Sequence, residues 1–460
     1  MSSHEGSGDE TPIRAVSQLI DHHARGERPR DAWKVGTEHE KFALSLPELK
    51  PLKYRGEGGE PGILSLLDRM KSTCGWQPQV DNGELIALAS QNGSISLEPG
   101  GQVELSGKAY ATVFETREEL DRHLAELRML SSELPVRWLW LGFQPVHDID
   151  DIGWMPKRRY HIMREYLPTR GRLARYMMQA TCTVQANLDW SDERDMGQKL
   201  RTAMGVSSIV TAMFSNSPFA RGVPNGYKSY RAAIWLETDA DRTGLLPFAF
   251  DGELPTYEQY VRWAYEVPLF FILRGGEYLN CAGLPFSRFV RDGFMGHHAT
   301  LADWEMHLST LFPDVRLKTY LETRTADLVE PDLICALPAL WKGLLYDEDA
   351  ALAAFDVVRR WSFGDRIAHR EVVPRLGMAA RTPAGHLTAD LAQELVDIAR
   401  ASLGKQAQAG GIEDESVFLE PLAALVKKKQ SPADVLLKWY AAKQPTPRQL
   451  VEHCLMPLEG

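Results

Sequence analysis

Four short segments of the chain alternate polar and apolar side chains with a period of two, which predicts strands with one wetted face. In Val35-Gly36-Thr37-Glu38-His39-Glu40-Lys41-Phe42 the carboxylates of Glu38 and Glu40 fall on one side. Ile95-Ser96-Leu97-Glu98 runs into Pro99-Gly100-Gly101 and then Gln102-Val103-Glu104-Leu105, where the glycines predict a bend or bulge between Glu98 and Glu104. The third segment, Thr181 to Asp189, lines up five polar groups, including Gln185 and Asn187. The fourth, Arg316 to Arg324, is expected to be one strand that sets Lys318, Tyr320, Glu322 and Arg324 together.

Helical spacing governs the flanks. Thr116 and Glu119 read as a capping box ahead of Leu120, Leu124, Leu127 and Leu130. Ser191 is the expected cap of a helix carrying Leu200, Met204, Ile209 and Met213, stopped near Asn216-Ser217-Pro218. Ser431-Pro432 and Thr446-Pro447 each place a cap before a first-turn proline. The organisation expected is a polar tail and first helix over 1–29 with residues 1–11 frayed, a core over 30–370, and a helical region over 371–460 packed on it.

Composition narrows the classes. The 460 residues are 44% apolar and 25% charged, enough for a large core, and 62 acidic against 52 basic side chains give a formal charge of −10. That balance argues against nucleic acid as a partner. No run of about 18 apolar residues predicts a membrane span. Five scattered cysteines without CxxC spacing fit free thiols in a reducing cytoplasm, the expected location.

Each strand alone could be the solvent side of an antiparallel sheet. Together they concentrate carboxylates and carboxamides, hard oxygen donors suited to Mg²⁺ or Mn²⁺ bridging substrate phosphates. Converging glutamates about 4 Å apart repel by roughly 4 kcal/mol at an effective dielectric near 20 and so call for cations. Arg231 and Arg324 match a phosphate or carboxylate through the guanidinium fork. The cationic stretch with Lys157, Arg159 and Arg164 reads equally as a polyphosphate lining or a solvated helix face. Walker and dinucleotide fingerprints fail: five residues separate Gly101 from Gly107-Lys108, and Pro61 replaces the third glycine of the 56–62 run, which reads as a mobile loop of the kind used as a lid. His22-His23 and His297-His298 read as surface histidines, and Lys427-Lys428-Lys429 as solvated surface.

Gly36 to Phe42, Ile95 to Gly107 and Thr181 to Asp189 resemble the plant-type glutamate–cysteine ligases, as do Asn216 to Phe219, Pro224 to Gly226, Phe312 to Lys318 and Leu337 to Trp341. The resemblance covers roughly residues 30–440. It implies an α+β fold of the glutamine synthetase-like superfamily, with a curved antiparallel sheet forming a funnel flanked by helices. It implies ATP-dependent formation of γ-glutamylcysteine through a γ-glutamyl phosphate, from L-glutamate, L-cysteine and ATP; a monomer or weak homodimer is the expected assembly. Glu38, Glu40, Glu98, Glu104 and Glu322 fall on the family's glutamates for two or three Mg²⁺ ions, and Gln185 on a further ligand position. Arg231 and Arg324 fall on arginines facing substrate; Lys157, Arg159, Arg164 and Lys318 are the expected nucleotide contacts. Another amine acceptor, or an inactive metal- or nucleotide-binding paralogue, are the competing readings. Plant-style redox control is not expected, because the stretch downstream of Cys281 (Phe294 to His298) holds no cysteine, nor do Thr116 and Arg117.

Overall fold

The computed structural model describes residues 8–458. Its centre is an antiparallel sheet of ten strands. In chain order these are β1 (Val35–Ser45), β2 (Lys50–Pro51), β3 (Gln77–Asp81), β4 (Glu84–Ser90), β5 (Gly93–Leu97), β6 (Val103–Gly107), β7 (Val136–Leu139), β8 (Thr183–Leu188), β9 (Val315–Leu317) and β10 (Leu321–Asp327). The spatial order is β9-β10-β8-β1-β6-β5-β4-β3, while the far end of β1 pairs with β2 and β7.

Register decides what the faces carry. Glu38 lies opposite Gln185 on one side and Ser106 on the other; Glu40 lies opposite Glu104, which lies opposite Ser96. Glu322 lies opposite Asn187 and Arg316. Because side chains alternate along each strand, all these polar groups share one face. The other face sends Val184, Ala186, Leu188, Val103, Leu105, Ile95 and Leu97 into the core. Helices Val113–Glu133, Glu193–Met213 and Ala336–Leu345 cover it, with Trp138, Trp190 and Trp341 fully buried. A sheet with one apolar and one polar face needs such a layer only on its apolar side.

Several expectations shift by a few residues. The fourth alternating segment is not one strand but the hairpin β9–β10, turning through Lys318 to Tyr320, so Arg316 faces Glu322 across the ladder. The helix expected to start at Thr116 starts at Val113, with Thr112 and Glu115 as its capping box. Glu119 is thereby released to accept Lys108 N–H at 2.9 Å and Tyr110 O–H at 3.1 Å. Asp192, not Ser191, caps Glu193–Met213, its carboxylate accepting Asp195 N–H at 2.9 Å. Ser431 and Thr446 cap their helices as expected. Part of the expected frayed tail, residues 1–7, lies outside the described residues. Residues 9–13 are tied down, with Ile13 N–H on Ala299 O at 2.9 Å and Ala302 N–H on Asp9 O at 2.8 Å.

Helices dominate the chain after Phe363, and the helix Phe363–Leu376 runs across the expected boundary at 370. The C-terminal stretch is bound to the sheet, since Trp140 N–H reaches Cys454 O and Met456 N–H reaches Trp138 O. Among the described residues no helix is long and apolar enough to cross a membrane.

Candidate functional site

The polar sheet face floors a cavity of about 670 Å³. Glu38, Glu40, Glu98 and Glu104 line it, as do Ser96 and Ser106. Segment 157–181, helix Leu301–Ser309 and the hairpin strand Phe271–Arg274 contribute the walls.

The β5–β6 turn aims Glu98 and Glu104. Gly101 takes φ +86°, and a Cβ on Gly100 would stand 2.2 Å from Gln179 O, so both positions need glycine. Gln102, a residue that the period-two pattern does not single out, pins this turn. Its Oε1 accepts Gly100 N–H at 2.9 Å, and its Nε2 donates to Thr181 O at 2.9 Å and Met178 O at 3.3 Å. The turn is thus fastened to the entry of β8.

Glu38 accepts from Asn187 Nδ2 at 2.7 Å. Glu40 accepts Thr183 N–H at 3.0 Å, yet burial and the neighbouring charges of Glu98 and Glu104 raise its carboxyl well above the usual range. Glu104 accepts the Ser106 hydroxyl at 2.5 Å, and burial with the charges of Glu38 and Glu98 pushes it up to about 7. These shifts are the mark of anions crowded in a poorly solvated place.

Glu322 is held differently. It is fully buried beneath Arg316, Lys318 and Arg324 and is not part of the cavity wall, whereas those three cations are. Arg316 grips both carboxylate oxygens, at 2.7 and 2.8 Å, Lys318 Nζ stands at 3.4 Å, and Arg324 donates as well. Burial opposes its ionisation, but these cations hold its carboxyl well below the usual range. Gln185 bridges the two halves, accepting from Arg324 at 2.9 Å and approaching Glu38 with its Nε2 at 3.5 Å. Arg316, buried and lining the cavity, was hidden from the sequence by the hairpin turn read as continuous strand.

Arg231 and Arg324 meet at one end beside Trp235 and Phe312. Arg231 donates to Arg324 O at 3.0 Å, and its Nε has no partner among the described residues. Of the expected nucleotide contacts, Lys157, Arg159 and Lys318 line the cavity. Arg164 does not: it is exposed and lies over Trp154, 5.0 Å from the ring centre, because its helix turns it outward. Arg158, Arg170, Arg172 and Arg175 are engaged with Asp81, Asp241, Glu237 and Asp150. The glycine-rich 56–62 loop contributes no lining residue. His22 and His23 are buried rather than superficial, because their helix packs them inward, and His22 reaches the cavity wall. All five cysteines are free thiols.

A divalent ion is tested by the donors themselves. Among the described residues no three His, Cys, Asp or Glu side chains are gathered tightly enough to hold a metal unaided. Mg²⁺ does not require that, since it takes one or two carboxylates and completes its shell with phosphate oxygens and water. Glu38, Glu40, Glu98 and Glu104 supply oxygen-only donors, with Glu40 and Glu104 raised by burial and neighbouring carboxylates, and they fit. Glu322, already matched by three cations, fits less well. The arrangement can therefore bind a polyanion against Lys157, Arg159 and Lys318, a carboxylate against Arg231 and Arg324, and divalent ions between.

The profile described as glutamate-cysteine ligase family 2 (GCS2) matches residues 34–453. The chain is 41% identical over 438 residues to a chloroplastic glutamate–cysteine ligase of Medicago truncatula, covering 95% of this chain and 83% of that one. It is 41% identical over 428 residues to the chloroplastic enzyme of Solanum lycopersicum, covering 92% and 79%. Among solved structures, a Francisella tularensis glutamate–cysteine ligase in complex with AMP superposes with TM-score 0.55 at 13% identity, covering 92% of this chain and 87% of that one, a likeness of fold.

Proposed function

The chain belongs to glutamate–cysteine ligase family 2, and from that premise we propose that it joins the γ-carboxylate of L-glutamate to the amine of L-cysteine with conversion of ATP to ADP and phosphate. The product is γ-glutamylcysteine, the first intermediate of glutathione synthesis. The observation that carries the reading is the meeting of Glu38, Glu40, Glu98 and Glu104 with Arg231 and Arg324 in one cavity of the family's fold.

In this reading a γ-carboxylate oxygen of glutamate forms a bond to the γ-phosphorus, the bond to ADP breaks, and γ-glutamyl phosphate results. The free amine of cysteine bonds to the activated carbonyl carbon, phosphate leaves, and the amine's proton passes to solvent. Arg231 and Arg324 orient a substrate carboxylate, and Lys157, Arg159 and Lys318 bind phosphate oxygens. Glu38, Glu40, Glu98 and Glu104 would hold Mg²⁺, two or three ions in the family pattern, which supplies charge screening for the triphosphate. No covalent nucleophile is needed, because positioning and charge stabilisation carry phosphoryl transfer. Cys182 lies on the strand's opposite, apolar side. A cytoplasmic location and a monomer or weak homodimer belong to the same proposal; five free thiols suit a reducing compartment.

The test is ADP release coupled to mass detection of the dipeptide, with cysteine, 2-aminobutyrate and other amines compared as acceptors. Preference for cysteine is expected. A better non-thiol acceptor would reassign the second substrate, and nucleotide binding without turnover would mark an inactive paralogue.

A further inference from the structure

We infer that Asp327, a buried carboxylate outside the cavity wall, is a positioning residue that sets Arg231 through two serine hydroxyls. The inference rests on the reaction proposed above.

Asp327 ends β10, three residues beyond Arg324, and is 1% exposed. One carboxylate oxygen accepts Asn216 N–H at 2.8 Å and the Ser217 hydroxyl at 2.6 Å. The other accepts the Ser229 hydroxyl at 2.8 Å. Each serine passes the connection on. Ser217 Oγ accepts the backbone N–H of Arg231 at 3.1 Å, and Ser229 Oγ accepts that of Ala232 at 3.0 Å. Both acceptor bonds fall on the first turn of Tyr230–Leu236, the short helix that carries Arg231. Such first-turn N–H groups have no partner within a helix and must find one outside it.

The opposite end of Arg231 returns to the same strand, because its guanidinium donates to Arg324 O at 3.0 Å. Backbone and side chain are therefore both referred to β10, which also carries Glu322 and Arg324. Space is tight around the carboxylate: a Cβ on Gly142 would stand 2.6 Å from Asp327 Cβ and Cγ. A seven-residue helix is too short to hold its own geometry. Asp327 supplies the fixed reference, so that Arg231 meets a substrate carboxylate at a set distance from Arg324.

An asparagine at 327 keeps the volume but removes the charge that strengthens all three bonds and replaces one acceptor oxygen with a donor NH2, so a hydroxyl facing that amide must reverse or lose its bond. The experiment is a kinetic double-mutant cycle of wild type, Asp327→Asn, Arg231→Ala and the double variant, with KM measured for glutamate, cysteine and ATP. Asp327→Asn is expected to raise KM about tenfold for the substrate whose KM Arg231→Ala also raises, with kcat moving less. In the Arg231→Ala background the second change is expected to cost less than about twofold. Equal fold-losses in both backgrounds, or wild-type KM values in Asp327→Asn, would overturn the role. Where Asp327→Asn does not fold, Ser217→Ala removes only the hydroxyl between Asp327 and Arg231 and carries the same cycle with the same two outcomes. A wild-type chain without ligase activity overturns the reaction and this role with it; an active wild type with additive losses overturns the role alone.

Discussion

Glu40 of β1 and Glu104 of β6 stand directly opposite each other in the antiparallel register, on the sheet face that floors the cavity. Like charges in direct cross-strand pairing destabilise a sheet, and here burial sharpens the effect. Both carboxyls are raised, in each case first by burial: the charges of Glu98 and Glu104 add to it at Glu40, and those of Glu38 and Glu98 push Glu104 up to about 7. Across the same face Glu322 is over-neutralised by three cations. The two ends of the floor thus carry opposite electrostatic debts, and substitutions in them have opposite signs.

Glu104→Gln is expected to stabilise the metal-free protein at pH 8, because it removes one buried charge from a repelling group. Glu322→Gln is expected to destabilise it by about 3 kcal/mol or more, because it strands buried cations. Urea denaturation in the presence of a chelator reads both. Two shifts of the same sign would refute the distinction. Activity is expected to fall on the order of 100-fold or more for Glu104→Gln despite its higher stability.

Mg²⁺ is expected to raise the melting temperature of wild type, by linkage to binding sites present only in the folded state. The rise should shrink in Glu40→Gln and Glu104→Gln. An equal rise in all three proteins places the ions elsewhere.

Glu119 supplies a pH prediction away from the cavity. Burial pushes its carboxyl up to about 7, with only partial relief from Lys108 N–H and Tyr110 O–H. In the unfolded chain it titrates near about 4.3. The folded state therefore binds the extra proton between these values, and stability is lost as pH rises from about 4.3 to about 7. Glu119→Gln keeps an acceptor for both bonds and is expected to gain roughly 1–3 kcal/mol at pH 8, with the gain vanishing near pH 4. Denaturation midpoints at the two pH values check the sign.

Redox insensitivity is the fourth expectation. Cys281 is a free thiol, 5% exposed, and burial raises it to about 12, so it is neither reactive nor partnered. Turnover should change less than about twofold between dithiothreitol and oxidised glutathione. A larger, reversible loss under oxidant would show a switch built from other cysteines.

The sheet's wetted face was legible because glutamate, glutamine and asparagine repeat every second residue in β1 and β8, and that period survives any packing. Lys318 to Tyr320 defeated the same rule: the alternation continues unbroken through a turn, so a hairpin resembled a strand and Arg316 was hidden. Thr116 and Glu119 show a different failure. Two capping boxes four residues apart compete, and the choice depends on Lys108 and Tyr110, which only tertiary packing delivers to Glu119. Gln102 and Asp327 were invisible because Gln102 acts through backbone groups and Asp327 through two serine hydroxyls about a hundred residues away, which sequence spacing does not reveal.

In the function proposed, the four carboxylates of the cavity floor share divalent ions. The most direct test of that sharing is a crystal of the protein with ADP and Mn²⁺, read by anomalous scattering at the manganese edge. Peaks within about 2.0–2.3 Å of oxygens from at least two of Glu38, Glu40, Glu98 and Glu104, bridging to the diphosphate, are predicted. Nucleotide bound with no manganese at these residues, or manganese held at another place on the molecule, would contradict it.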